Sequence, residues 1–154
     1  MPQLATANFG DIDYREESVL EFPEGLPAFE QERRFVAIEE QATSPVIFLQ
    51  SLARADLAFI TLPALLVEPG YRPALSAEDL QALGLAAERQ PEQGAEVLCL
   101  AIITISEGRP PTANLMAPVV VNLRTRRALQ AIQSEAGYSH QHPLGAVFPE
   151  EVCS

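Results

Sequence analysis

His140 and His142 form an HQH triplet near the end of the sequence. On a strand, residues two apart share a face, so both imidazoles could ligate one metal ion with a third donor. Glu135 is the one acid nearby that could serve, and no cysteine stands at metal spacing. Surface or packing histidines are the simpler reading. Cys99 would need a base and an electropositive, exposed setting to act as a nucleophile. Its neighbours are Leu98, Leu100 and Ala101, so it reads as a small buried apolar residue. Asp11, Asp13, Glu16 and Glu17 could supply a carboxylate pair or a calcium site, but they lack the spacing and the glycine of a calcium loop. No G-x-S-x-G, Walker-type or Rossmann-type glycine pattern occurs. The residues point to no catalytic set, no cofactor and no metal, so the chain is expected not to be an enzyme.

The ten basic residues are all arginine. With no lysine, Schiff-base chemistry and a lysine general base are excluded. The net charge of −11 opposes contact with nucleic acid, where affinity comes from basic side chains displacing counterions. A basic protein partner is favoured instead, because complementary charge speeds encounter. Cys99 in an apolar run and Cys153 next to the end make poor disulfide partners, which suggests reduced thiols in the cytoplasm. The opening MPQLATANFGD has no basic region and no long apolar core, so it does not read as a signal peptide. The longest apolar stretch, Val97–Ile105, is far short of the roughly 20 residues a membrane helix needs.

The elements that must position these residues are short strands separated by Pro, Gly and acidic turns. Thr6–Tyr14 reads as a first strand and Ser18–Phe22 as a second, stopped by Pro23-Glu24-Gly25. Pro27–Glu32 could form one helical turn. Arg33–Glu39 is a strand, and Pro45–Leu52 and Leu57–Leu62 form a hairpin around residues 53–56. Pro63–Ser76, with three prolines, reads as a meandering edge or loop. Ser76 can cap a short helix with Glu78 and Asp79 in its first turn, ended by Gly84. Glu96–Ser106 runs apolar almost without alternation, which predicts a strand covered on both faces. Leu115–Leu123 is another buried strand, and Ala128–Ile132 is ambiguous. A mostly β, compact antiparallel barrel or sandwich with one or two short helices follows, as one domain over residues 1–144. Residues 145–154 read as a partly ordered tail.

Two surface features stand out. Asp11, Asp13, Glu16, Glu17, Glu21 and Glu24 face a single Arg15 in sequence. Such acids either protect a sheet edge from aggregation or dock a cationic partner, and both readings stay open. Leu26 and Phe29 flank a rigid Pro27 in a short turn. They either plug the core or present an apolar anchor. Arg124, Arg126 and Arg127 form the only basic cluster, for which pairing with the chain's own acids is expected.

Three segments together resemble one family. Phe22-Pro23-Glu24-Gly25-Leu26-Pro27-Ala28-Phe29 is similar to an F-x-x-G-[LI]-P-G-F motif, and Phe48-Leu49-Gln50-Ser51 to an L-Q-S strand. Thr112–Asn122 closely resembles the signature T-A-N-L-x-A-P-I-V-I-N, and Gln130 with Tyr138 and His140 resembles a closing Q…Y-x-x-x-H region. The family is the flagellar assembly factors, FliW, and the resemblance runs from about Asn8 to Leu144. Ala28 stands where the family usually has glycine, so a positive φ is expected to be relaxed there. The resemblance implies a cytoplasmic protein, a monomer on its own, that binds newly made flagellin and the RNA-binding translational regulator CsrA. On that reading the freed factor captures CsrA away from its RNA surface and relieves repression of flagellin mRNA. The expected contacts are Leu26, Pro27 and Phe29, with Asn114 and Pro118 shaping the neighbouring loop, and Glu16, Glu17 and Glu21 for the cationic partner. The alternatives are a flagellin-only export chaperone and a small-molecule-binding β-barrel.

Overall fold

The computed structural model describes residues 2–26, 28–133 and 137–144. Ten strands and two short α-helices occur among them. The strands are β1 (Gln3–Thr6), β2 (Gly10–Asp13), β3 (Val19–Glu21), β4 (Arg34–Ile38), β5 (Ile47–Ser51), β6 (Ala58–Pro63), β7 (Val97–Thr104), β8 (Thr112–Asn122), β9 (Ala128–Gln130) and β10 (His142–Pro143). The helices are α1 (Ala64–Val67) and α2 (Ala77–Ala82). No described helix is long and apolar enough to cross a membrane.

The main sheet has the order β10-β8-β7-β6-β5-β4-β3, all antiparallel, with β9 also on β8. It curls until its ends nearly meet. The Glu21 N–H donates to the Arg126 carbonyl at 2.9 Å, so β3 reaches the β8–β9 hairpin and gives a nearly closed barrel. Near-closure satisfies part of the sheet-edge groups that an open sheet would leave to solvent.

The core divides into two clusters, one on each side of β7. Cys99, Ala101 and Ile103 face the first cluster, with Leu62, Tyr71, Leu80, Leu83, Leu115 and Val120. Leu100 faces the second, with Phe22, Leu26, Phe35, Leu49, Val119 and Val121. The unbroken apolar run of β7 therefore serves two packed faces, as its sequence predicts. Phe22 and Phe35 meet edge to face at 5.3 Å between ring centroids, a favoured quadrupole geometry.

Helix α2 starts where sequence places it, because the Ser76 hydroxyl accepts the Asp79 N–H at 3.0 Å. It ends at Gly84, whose φ is +78°. Several expectations change. Thr6–Tyr14 is not one strand: the chain reverses at residues 7–9 into the β1–β2 hairpin, docked by Phe9 on Phe48 at 5.0 Å. Pro63–Ser76 is not all loop, since it contains α1. The strand expected at Leu115–Leu123 begins earlier, at Thr112. The last residues of the expected domain join the sheet: His142 and Pro143 pair with Ala113 and Thr112, and Leu144 is buried. Residues 145–154, together with Pro27 and Glu135, lie outside the described residues, and with them Cys153.

Candidate functional site

Most polar motif side chains bond the chain's own backbone, whereas Glu24 and His140 are exposed. Opposite Ala101 the register of β7 against β8 slips: Leu100 pairs with Val119, but Ile102 pairs with Asn114. The intervening β8 residues therefore form a bulge. Asn114 holds it, its Oδ1 accepting the Met116 and Ala117 N–H groups at 3.1 and 3.0 Å. Gln130 Nε2 donates to the Ala117 carbonyl and the Ala131 N–H to the Pro118 carbonyl, each at 2.9 Å. On the core side the Tyr71 hydroxyl donates to the Leu115 carbonyl at 2.6 Å. Tyr138 stacks tilted on Tyr71 at 4.5 Å, and its hydroxyl accepts the Arg72 N–H at 2.9 Å. Asn114, Gln130 and Tyr138 are thus one node around the bulge, completed by Tyr71. Pro118 is buried within it.

The L-Q-S residues act similarly at the β5–β6 turn. Gln50 is fully buried, and its Nε2 faces the carbonyls of Ser51, Arg54 and Ala55 at 3.0, 3.1 and 3.3 Å. The Ser51 hydroxyl accepts the N–H groups of Ala53 and Arg54. Asn122, the last signature residue, donates to the Leu83 carbonyl at 2.7 Å and accepts from Arg124 and Thr125. It ties α2 to the β8–β9 turn.

The Leu26–Phe29 turn is closed by two backbone bonds, Phe29 N–H to the Leu26 carbonyl at 2.7 Å and the reverse at 3.4 Å. It is not a helical turn. A side chain on Gly25 would fall on the Glu30 backbone, and its φ is +68°, so only glycine fits. Ala28 keeps a φ of +71°, so the positive φ expected to relax is retained in an L-residue. Leu26 is 2% exposed and packs in the second core cluster, so in this conformation it plugs the core and offers no surface to a partner. Phe29 is half-buried, edge-on to Phe59 at 5.6 Å.

Glu16, Glu17 and Glu21 are exposed. Arg34 reaches across from β4 to Glu16 at 2.9 Å and Glu21 at 3.4 Å. All three side chains are about half exposed, which limits the pairs to about 0–1 kcal/mol. Glu17 has no ion pair among the described residues. Arg124, Arg126 and Arg127 likewise form none there, contrary to the pairing expected for them. They line an exposed turn in which Arg126 takes a φ of +65°.

The interior chemistry is quiet. Burial pushes the Cys99 thiol up to about 12, far from a reactive thiolate. Cys99 borders a cleft of about 440 Å³ with Arg72, Leu75, Gln90, Gln93 and Val97. There Gln90 grips both backbone groups of Leu75, and Gln93 Nε2 donates to the Tyr71 carbonyl, leaving its Oε1 unpartnered. Among the described residues no three His, Cys, Asp or Glu side chains converge as metal donors. Sequence reasoning missed Tyr71, Gln133 and Arg34. Gln133 clamps Ala74 by both backbone groups at 2.7 and 3.0 Å, across 59 residues. A tyrosine inside a proline-rich loop was the one local hint.

Together these features define a small antiparallel β-barrel-like protein with an acidic exterior, its motif side chains engaged in holding loops. Residues 3–144 match the family model described as FliW protein, and the chain belongs to the FliW family of flagellar assembly factors. It is 31% identical over 143 residues to the flagellar assembly factor FliW of Syntrophomonas wolfei, covering 92% of this chain and 88% of that one. The Thermotoga maritima flagellar assembly factor FliW is 31% identical over 137 residues, 88% of each chain. A crystal structure of the flagellar assembly factor FliW superposes with a TM-score of 0.79 at 30% identity, covering 97% of this chain and 99% of that chain.

Proposed function

We propose that the chain is a non-catalytic, cytoplasmic partner switch that binds flagellin and the translational regulator CsrA in turn. In this reading, export of flagellin frees the protein, which then captures CsrA and relieves repression of flagellin mRNA allosterically. The protein acts as a monomer on its own and does not touch nucleic acid. The observation that supports this most is the acidic outer face: Glu17 is unpaired among the described residues, and Glu16 and Glu21 share one half-exposed arginine. Such a face draws a cationic protein and repels RNA. Glu16, Glu17 and Glu21 serve that partner. The half-buried Phe29, with Pro27 adjoining in sequence and Leu26 fixed in the core, is the apolar contact. Asn114 and Pro118 set the shape of the bulge.

Titrating the purified protein with CsrA at low and high salt tests this. Affinity should fall at high salt, because exposed charges separated by more than about 8–10 Å are screened. Equal affinity at both concentrations removes the electrostatic contact. Phe29→Ala should weaken flagellin or CsrA binding while the circular dichroism spectrum stays unchanged. A variant that unfolds instead assigns Phe29 to the core.

A further inference from the structure

The ladder between β3 and β4 ends early. Its last pair is Val19 with Val36. The chain before Val19 turns away into a 3-10 turn at Glu16–Ser18, where the Ser18 N–H donates back to the Arg15 carbonyl at 2.9 Å. Strand β4 nevertheless continues to Ile38, paired with Phe48 of β5 on its inner side. The Leu52 N–H donates to Arg34 and the Phe22 N–H to Arg33. By the two-residue alternation of an antiparallel ladder, Arg34, Val36 and Ile38 aim their backbone groups at β5. The Ala37 carbonyl and both Glu39 backbone groups then face the free edge: the Ser18 N–H that would continue the ladder to Ala37 is turned to Arg15, and Glu39 makes no backbone hydrogen bond among the described residues.

This edge opens into a surface cleft of about 380 Å³, lined by Ile12, Tyr14, Val36 and Ile38, with Asp13, Arg15 and Glu39 also along it. Its shape and chemistry are those of a strand-addition site: unpaired main chain along one wall, apolar side chains below, and two acids against one arginine. We propose that this edge takes an extended peptide segment of a partner, carrying basic residues around an apolar one, which adds beside β4 as a further strand. Main-chain bonds to Ala37 and Glu39 supply register, the cleft holds the apolar side chain, and Asp13 and Glu39 select positive charge. The stretch Ala37–Glu39 covers about 10 Å at about 3.3 Å per residue and offers three main-chain groups, so the contact is short and reversible. It does not depend on which full-length partner the protein binds.

The test is an NMR titration of the full chain with the peptide acetyl-Arg-Val-Arg-Val-Arg-amide. Amide shifts should move at Ala37–Glu39 and Asp13–Arg15. N-methylating either the valines or the arginines blocks one of the two alternating sets of N–H groups. One set, and not the other, should weaken binding by about two- to tenfold per lost bond. A glutamate-for-arginine peptide should bind more weakly than the parent. The proposal fails if the arginine peptide causes no shifts at this edge. It also fails if both N-methylated sets bind alike, or if the acidic peptide binds equally well. A concentration-dependent dimer through this edge, without peptide binding, assigns it to a second copy and overturns the peptide reading.

Discussion

Replacing Asn114 with alanine and with aspartate isolates what the signature asparagine does. Only its Oδ1 is used, accepting two backbone N–H groups of the β8 bulge at 3.1 and 3.0 Å. Alanine removes both bonds. At about 0.5–1.5 kcal/mol each, the loss is about 1–3 kcal/mol, with the higher figure applying if the Met116 and Ala117 donors find no water. Neither residue is fully exposed, so water access is partial. For a chain of this size that lowers Tm by about 2–12 °C, at about 2–4 °C per kcal/mol. The Asn114→Asp variant presents the same acceptor geometry and lacks only the amide N–H, which makes no hydrogen bond among the described residues. It should stay within about 0.5 kcal/mol of the parent near neutral pH, the range of a substitution that removes no contact. Urea denaturation of the three proteins, compared at equal m-value, measures this. If the aspartate variant is as unstable as the alanine variant, or the alanine variant matches the parent, the bulge is not held by that oxygen.

Three other outcomes follow from the same structure. Ala28→Gly removes the cost of a positive φ at an L-residue, about 1–2 kcal/mol, against about 0.4–1 kcal/mol of added unfolded-chain entropy. Thermal unfolding should show no loss and up to about 1.5 kcal/mol of gain, whereas Ala28→Val should lower Tm. Glu96 is held down to about 2 from the usual 4.5, first by its hydrogen bond to Arg89 at 2.7 Å and then by the Glu92 N–H. A lowered folded-state value stabilises above the unfolded pKa and is lost on acidification. The stability advantage of the parent over Glu96→Gln should therefore be constant above about pH 4.5 and vanish by about pH 2, as followed by denaturant midpoints across that range. In a Cys153→Ser background, Cys99 should resist Ellman's reagent in the folded protein and react once urea unfolds it. Rapid stoichiometric reaction of the folded protein contradicts its burial.

Much of the architecture is legible locally. The β7 run shows two-sided burial because both core clusters need apolar groups from one strand. Ser76, Glu78 and Asp79 announce α2, because a cap and acids near a helix start act within a single turn. The β5–β6 hairpin is visible because its turn lies between two β-rich runs. The T-A-N-L-x-A-P segment is recognisable as a string, but its meaning as a bulge is not. That depends on which residue of β7 stands opposite, a register chosen by the whole sheet. Leu26 illustrates the same limit. Its apolar character fits both a buried plug and a presented anchor, and only the packing around it decides.

Sequence alone determined the periodicities, the caps, the strong negative charge and the absence of lysine, since each is a property of residues adjacent in the chain or of their sum. Tertiary structure decided which polar groups remain available. Arg34 lies 18 residues from the Glu16 carboxylate it pairs with, Tyr71 lies 44 from the Leu115 carbonyl, and Tyr138 lies 66 from the Arg72 N–H. Such bonds form only after the barrel has met the loop-closure entropy, so no local pattern encodes them. The unpaired edge of β4 is likewise set by where β3 stops, a consequence of one backbone turn at Glu16–Ser18.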